Sequence, residues 1–180
     1  MNAVVDFLSG NFSYCMELTL FFMAYQGAMV VRSGPNKDGQ MHWFHAYVKS
    51  ILTGLAGGWF GTLWLGLPAA VMANDVAMAA GTMAFVLANL PGGREFGNSL
   101  PVAFFTTMFA QLFRALGIVK FVSVGFNQFQ SSPSAYYPIP VIGPILYGIM
   151  LGNMGGLVLK GIDGYLANGM PWPFQNGACV

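Results

Sequence analysis

The sequence predicts an all-α, polytopic membrane protein with about five transmembrane helices, and three observations carry this prediction. Of the 180 residues, 56% are hydrophobic and 7% are charged, whereas a soluble domain carries about 25% charged residues. Five apolar runs approach the roughly 20 residues that a helix needs to cross about 30 Å of hydrocarbon. Each run is continuously apolar, without the alternation of a barrel strand. We therefore expect a single transmembrane domain over residues 1–180.

Polar or helix-breaking segments separate the five predicted helices. The first helix is followed by "RSGPNKDGQMH", the second by Pro68, the third by "PGGREFGNSLP" and the fourth by "NQFQSSPSAYYP". Clusters of Gly, Pro and small polar residues of this kind mark turns and loops. The predicted helices cover residues 12–31, 43–67, 69–90, 102–126 and 139–166.

Glycines recur along one face of the second predicted helix and again along the fifth, after the related words "ILTG" and "ILYG". Each glycine inside a helix costs about 0.5–1 kcal/mol relative to alanine. One interpretation is close packing of two helix backbones. The other is a pair of kinked helices whose freed carbonyls line a cavity or an ion path. At 3.6 residues per turn, the two stripes consist of Gly54, Gly57, Gly58 and Gly61 in the second helix and Gly148, Gly152, Gly155 and Gly156 in the fifth.

The repetition of this stripe predicts an internal repeat. If the second helix corresponds to the fifth, the first corresponds to the fourth, and the chain consists of three-helix units. An odd number of helices per unit places the second copy upside down in the membrane, as in many transporters and channels. A sixth helix is then expected after residue 166, where the sequence reads "GMPWPFQNGACV". We interpret the fold as an inverted three-helix repeat that lacks its last helices.

Three ionisable residues within the apolar runs are candidate functional groups, because charge is expensive inside a membrane. Lys49 is either a pore-facing cation or an interfacial anchor whose stem snorkels to the surface. Asp75 either satisfies backbone groups at a helix start or forms a counter-ion to Lys49 or Arg114. Arg114 lies deepest, which favours a structural or pore role. Lys120 follows six positions later and should point about 120° away on a helix, so the two cations are not expected to face one pore.

Several function classes have no support in the sequence. The net charge of +1 suggests no nucleic-acid partner. Cys15 and Cys179 lack the number and spacing of a disulfide framework or a zinc site. No metalloprotease motif, nucleophile elbow or phosphate loop occurs. We expect neither an enzyme nor a bound cofactor or metal.

Three stretches of the sequence resemble the trimeric intracellular cation (TRIC) channel family. "FHAYVKSILTGLAGGWFGTLWLGLPAAVMANDV" is similar to the family's second and third helices, and "LPVAFFTTMFAQLFRAL" to its fourth. "PVIGPILYGIMLGNMGG", with the later "GMPWP", is similar to its second glycine-rich helix. The resemblance spans roughly residues 16–173, and its matching residues are His45, Gly57, Gly58, Leu65 to Pro68, Asn74, Asp75, Leu100, Pro101, Val102 and Arg114.

The resemblance implies a homotrimer in an intracellular organelle membrane. Each protomer would pass K⁺ through its own pore, lined by two glycine-kinked helices, under lipid regulation. This chain departs from the pattern at two places. The family's Lys-Glu-Val element, whose lysine meets an inositol-lipid headgroup, is replaced by Ala110, Gln111 and Leu112. The family's sixth and seventh helices have no counterpart in the sequence given.

Two functions are therefore expected as alternatives. The first is passive permeation of a monovalent cation through the glycine-kinked bundle. The second is a non-conducting, channel-derived accessory or scaffold subunit of a larger heteromeric membrane complex, photosynthetic or respiratory. Because inverted repeats also occur in transporters, an alternating-access transporter is a further alternative. Membrane lipid is a partner in every case.

Overall fold

A computed structural model describes residues 3–131 and 139–168, with the side chains of residues 4–131 and 139–161. Within these residues the chain is helical and contains no strand, which confirms the all-α class. The "GMPWP" segment of the sequence analysis lies outside them. The helices are α1 (Ala3–Leu8), α2 (Cys15–Ser33), α3 (Trp43–Trp64), α4 (Asp75–Asn89), α5 (Gly93–Asn98), α6 (Leu100–Gln130) and α7 (Ile142–Asn168).

Two of the described helices are long and apolar enough to cross a membrane, namely α6 and the Ile142–Gly161 part of α7. The five-span prediction is thus supported for two helices. Helix α4 is apolar, but its 15 residues extend about 22 Å at 1.5 Å per residue. Helices α2 and α3 have 19 and 22 residues, and both include charged side chains and glycines that lower their hydropathy.

The described helices bury small residues and expose large apolar ones. The buried face of α4 consists of Ala77, Ala80, Gly81, Ala84 and Ala88. On α6, by contrast, Phe104, Phe105 and Val119 are all more than half exposed. Small residues at helix contacts allow backbones to approach closely, which is typical of helices packed in lipid. The described outer surface therefore carries much apolar area.

Helix α2 lies at the centre of the bundle, where it packs on α3, α4 and α6, and α7 packs on α3 and α6. One close approach in this arrangement joins α2 to α3. A methyl group at Gly27 would collide with the backbone nitrogen and Cα of Gly54, and one at Gly54 would lie 3.0 Å from the Cα of Ala24. Glycine at both positions lets these two helices touch backbone to backbone.

The predicted bounds of the second and third helices are wrong at the segment between them. Helix α3 ends at Trp64, and Gly66 follows with a left-handed φ of 71°. Helix α4 begins at Asp75, six residues later than predicted, because Asn74 caps it: the Asn74 side-chain oxygen accepts hydrogen bonds from the backbone N–H of Val76 and of Ala77. Residues 65–74 are turns and irregular backbone.

The structure also adds two short helices that the sequence analysis did not predict. Helix α1 lies before the first predicted span, and α5 lies within the segment predicted to separate the third and fourth spans. Helix α5 starts after Gly92, whose φ of 77° is left-handed. Its Gly97 is buried against the side chains of Met29 and Tyr25 on α2, so tertiary packing holds α5 in place.

Candidate functional site

The candidate site is the region where α3 approaches α7, because each of these helices carries one of the predicted glycine stripes. Helix α3 is interrupted at Leu55, whose φ of −115° and ψ of 21° are not helical. This residue directly follows Gly54, at the start of the first stripe. Glycines weaken the helical backbone on either side of it.

At the α3–α7 crossing, glycines of each stripe lie against the backbone of the other helix. A methyl group at Gly57 would lie 2.8 Å from the carbonyl oxygen of Leu151, and one at Gly155 would lie well inside 3.0 Å of the carbonyl oxygen of Thr53. The Tyr147 hydroxyl of α7 donates a hydrogen bond to the carbonyl oxygen of Gly61. Glycine on each helix therefore leaves room for the backbone of the other helix. The hydrogen bond from Tyr147 stabilises the contact.

The remaining predicted glycines do not share one space. Gly58 faces Val71, in the segment before α4, and Gly54 faces α2. Gly148 and Gly152 face the Ile118 turn of α6. A methyl group at Gly156, in contrast, would meet no atom within 4 Å.

A cavity of about 270 Å³ lies beside this crossing, lined by residues of α2, α3, α6, α7, the start of α4 and the segment before it. We call it the central cavity. Its walls are mainly apolar and include glycines of both stripes. Its polar lining residues are Cys15, Thr19, Thr62, Asn74, Arg114 and Lys120.

Arg114 and Lys120 are both among the residues that line the central cavity, where Arg114 is partly buried and Lys120 is exposed. The cavity extends along α6 from Phe113 to Val124. Over more than two turns, its lining wraps around the helix and takes in side chains about 120° apart. The Arg114 Nη1 donates to the Gln111 side-chain oxygen at 3.2 Å, and the buried Nε has no hydrogen-bond partner in the described residues.

The other two predicted charges lie elsewhere. Lys49 is buried on α3, at 4% exposure, about two turns before the kink, and is not among the residues that line the central cavity. Asp75 is exposed in the first turn of α4, where a carboxylate interacts favourably with the helix dipole. Among the described residues no ion pair joins Asp75 to Arg114. The neighbouring Asn74, rather than Asp75, caps the helix.

Sequence reasoning missed Tyr147 as a contact residue. Tyr147 lies within the quoted stretch "ILYG", but the sequence does not show that α3 lies beside it and supplies the carbonyl oxygen that accepts its hydrogen bond. Thr19 was also missed: its hydroxyl donates to the Cys15 carbonyl at 2.6 Å, inside α2. No pattern in the sequence distinguishes this threonine from the others.

Comparisons of this chain with protein-family models, with curated proteins and with solved structures find no match. Within the described residues, no three of the His, Cys, Asp and Glu side chains come together as metal ligands.

Proposed function

We propose that this chain is a multi-pass membrane protein with a structural role, a non-conducting subunit that packs within a larger heteromeric membrane complex. The reciprocal contact of Gly57 with Leu151 and of Gly155 with Thr53 carries this proposal. At these glycines the backbones of α3 and α7 lie in direct contact. A pore between two kinked helices would need open space there.

The charges around the central cavity support the same function. Arg114 and Lys120 line it, and no Asp or Glu is among its lining residues in the described part of the chain. Cation channels place acidic rings or carbonyl oxygens along their pores, whereas basic side chains favour anions. A K⁺ ion in this cavity would meet the partly buried positive charge of Arg114 beside apolar walls, where repulsion is screened less than in water.

The large apolar side chains on the outer faces of α6 and α7 support a membrane location and a surface for partner subunits. Ile142 is 72% exposed and Leu157 is 58% exposed on α7. Lipid and protein partners both bury such surfaces.

Cation permeation is the second candidate, and the kink at Leu55 favours it. A kinked helix beside a cavity is the arrangement that the resemblance to TRIC channels implies, with K⁺ as the ion and a homotrimer as the assembly. On this proposal a rearrangement would open the α3–α7 crossing.

A flux measurement in reconstituted vesicles separates the two candidates. We expect K⁺ flux no higher than in protein-free vesicles, with valinomycin as the positive control. K⁺-selective flux that Gly155→Leu abolishes and Gly156→Leu preserves would refute the structural role. The mass of the assembly purified in mild detergent then distinguishes a homotrimer from a complex with other chains.

A further inference from the structure

The central cavity combines apolar walls with two basic side chains, a pairing that suits a particular class of ligand. Arg114 and Lys120 supply the charge from α6. The large apolar side chains that α2 and the same stretch of α6 contribute to its walls include Met16, Leu20, Met23, Phe113, Leu116 and Phe121. A cavity of this kind favours a molecule that has both an anionic group and an apolar body.

The uncharged polar groups of the cavity are largely occupied by the protein itself. The Thr19 hydroxyl donates to the Cys15 carbonyl at 2.6 Å, and the Thr62 hydroxyl donates to the Gly58 carbonyl at 3.4 Å. The Asn74 side-chain oxygen accepts from the backbone at the start of α4. The donors left for a ligand therefore come from the basic groups, which only donate, and from the Asn74 side-chain nitrogen.

Arg114 in particular has donor capacity to spare. Its Nη1 binds Gln111, and Nη2 makes no hydrogen bond within the described residues. Nε also lacks a partner there, but it is too deeply buried to meet a ligand. The planar guanidinium presents pairs of N–H groups that match the two oxygens of a carboxylate.

We propose that the central cavity binds the carboxylate of a single-chain fatty acid. The carboxylate lies at the Arg114 guanidinium, with Lys120 as a second positive charge, and the acyl chain runs along the apolar walls. The volume of about 270 Å³ holds part of one acyl chain. This inference goes beyond the proposed function and does not depend on it, because either a structural subunit or a channel can hold such a ligand.

Binding of radiolabelled palmitate to the whole purified chain in neutral detergent tests the proposal. We expect saturable binding with one site per chain. Hexadecanol, which has the chain without the carboxylate, and acetate, which has the carboxylate without the chain, should each compete at least about tenfold more weakly, because each loses one of the two interactions. Equal competition by hexadecanol, or by acetate, would overturn the proposal, and so would binding of inositol phospholipid in place of palmitate.

Two variants locate the site. Arg114→Gln should weaken palmitate binding about ten- to hundredfold, the effect of losing a hydrogen-bonded charge. Arg94→Gln is the matched control, because Arg94 lies on α5 and does not line the cavity. Unchanged affinity in Arg114→Gln would refute the assignment.

A second variant keeps the test decisive if Arg114→Gln does not fold. Gly117 lines the cavity, and a methyl group there would meet no atom within 4 Å. Gly117→Leu should therefore fill the cavity and abolish palmitate binding, whereas Gly156→Leu, outside the cavity, should not. Full binding by Gly117→Leu would place the fatty acid elsewhere and overturn the proposal.

Discussion

Replacing Gly155 and Gly156 by alanine, one at a time, tests the packing at the α3–α7 crossing. The two residues are neighbours on α7 in opposite surroundings. The new methyl group of Gly155→Ala would lie inside 3.0 Å of the Thr53 carbonyl oxygen, a backbone atom that cannot move aside without shifting α3. The methyl group of Gly156→Ala would meet no atom within 4 Å.

The expected magnitudes follow from these two environments. Overpacking of this kind costs about 1–3 kcal/mol, and alanine in a helix gains about 0.5–1 kcal/mol over glycine. The helix gain is common to both variants and cancels in their comparison. Gly155→Ala should therefore be less stable than Gly156→Ala by about 1–3 kcal/mol, and Gly156→Ala should equal or exceed the parent chain.

Unfolding by sodium dodecyl sulfate in mixed micelles, followed by far-UV circular dichroism, measures this difference. Both variants need the same starting helix content for the comparison to hold. Equal free energies of unfolding for the two variants would refute the close contact between α7 and the α3 backbone, and with it the argument that the crossing is closed.

The same unfolding assay checks three further contacts. Tyr147→Phe removes the hydrogen bond to the α3 carbonyl and should cost about 1 kcal/mol; an unchanged free energy of unfolding would argue against that bond. Gly27→Ala should cost about 1–3 kcal/mol, because its methyl group meets the Gly54 backbone, while Gly117→Ala, which meets no atom within 4 Å, is the control. Asn74→Ala should cost about 1 kcal/mol through loss of the α4 cap, and Asn74→Asp should retain most of that stability, because aspartate caps as well as asparagine.

The positions of the long helices were largely predictable, and the exceptions have local causes. Continuous apolar runs bounded by Gly and Pro are short-range signals, so α6 and α7 appear close to their predicted bounds. The third helix was wrongly predicted to include residues 69–74, because the alanine, valine and methionine there continue the apolar run. The Asn74 cap instead starts the helix at Asp75. Helix α5 was not predicted because its six residues are stabilised by tertiary contacts, which the local sequence does not show.

The candidate site was predictable in its residues but not in their arrangement. The spacing of the glycines predicted a stripe on each of two helices. It did not predict that Gly57 would pack on α7 and Gly155 on α3, whereas Gly148 would pack on α6. Helical geometry predicts about 120° between Arg114 and Lys120. It did not reveal a cavity whose lining includes both residues.

The amino-acid sequence by itself determined that this protein is helical, that its helices are apolar, and which of their faces are built from glycine, because these properties depend on residues within a few turns of one another. The tertiary structure decided which helix each glycine face meets, where α3 bends, and that two basic side chains border an apolar cavity. Those outcomes depend on how each helix is rotated about its axis, and that rotation is set by the packing of all its neighbours together.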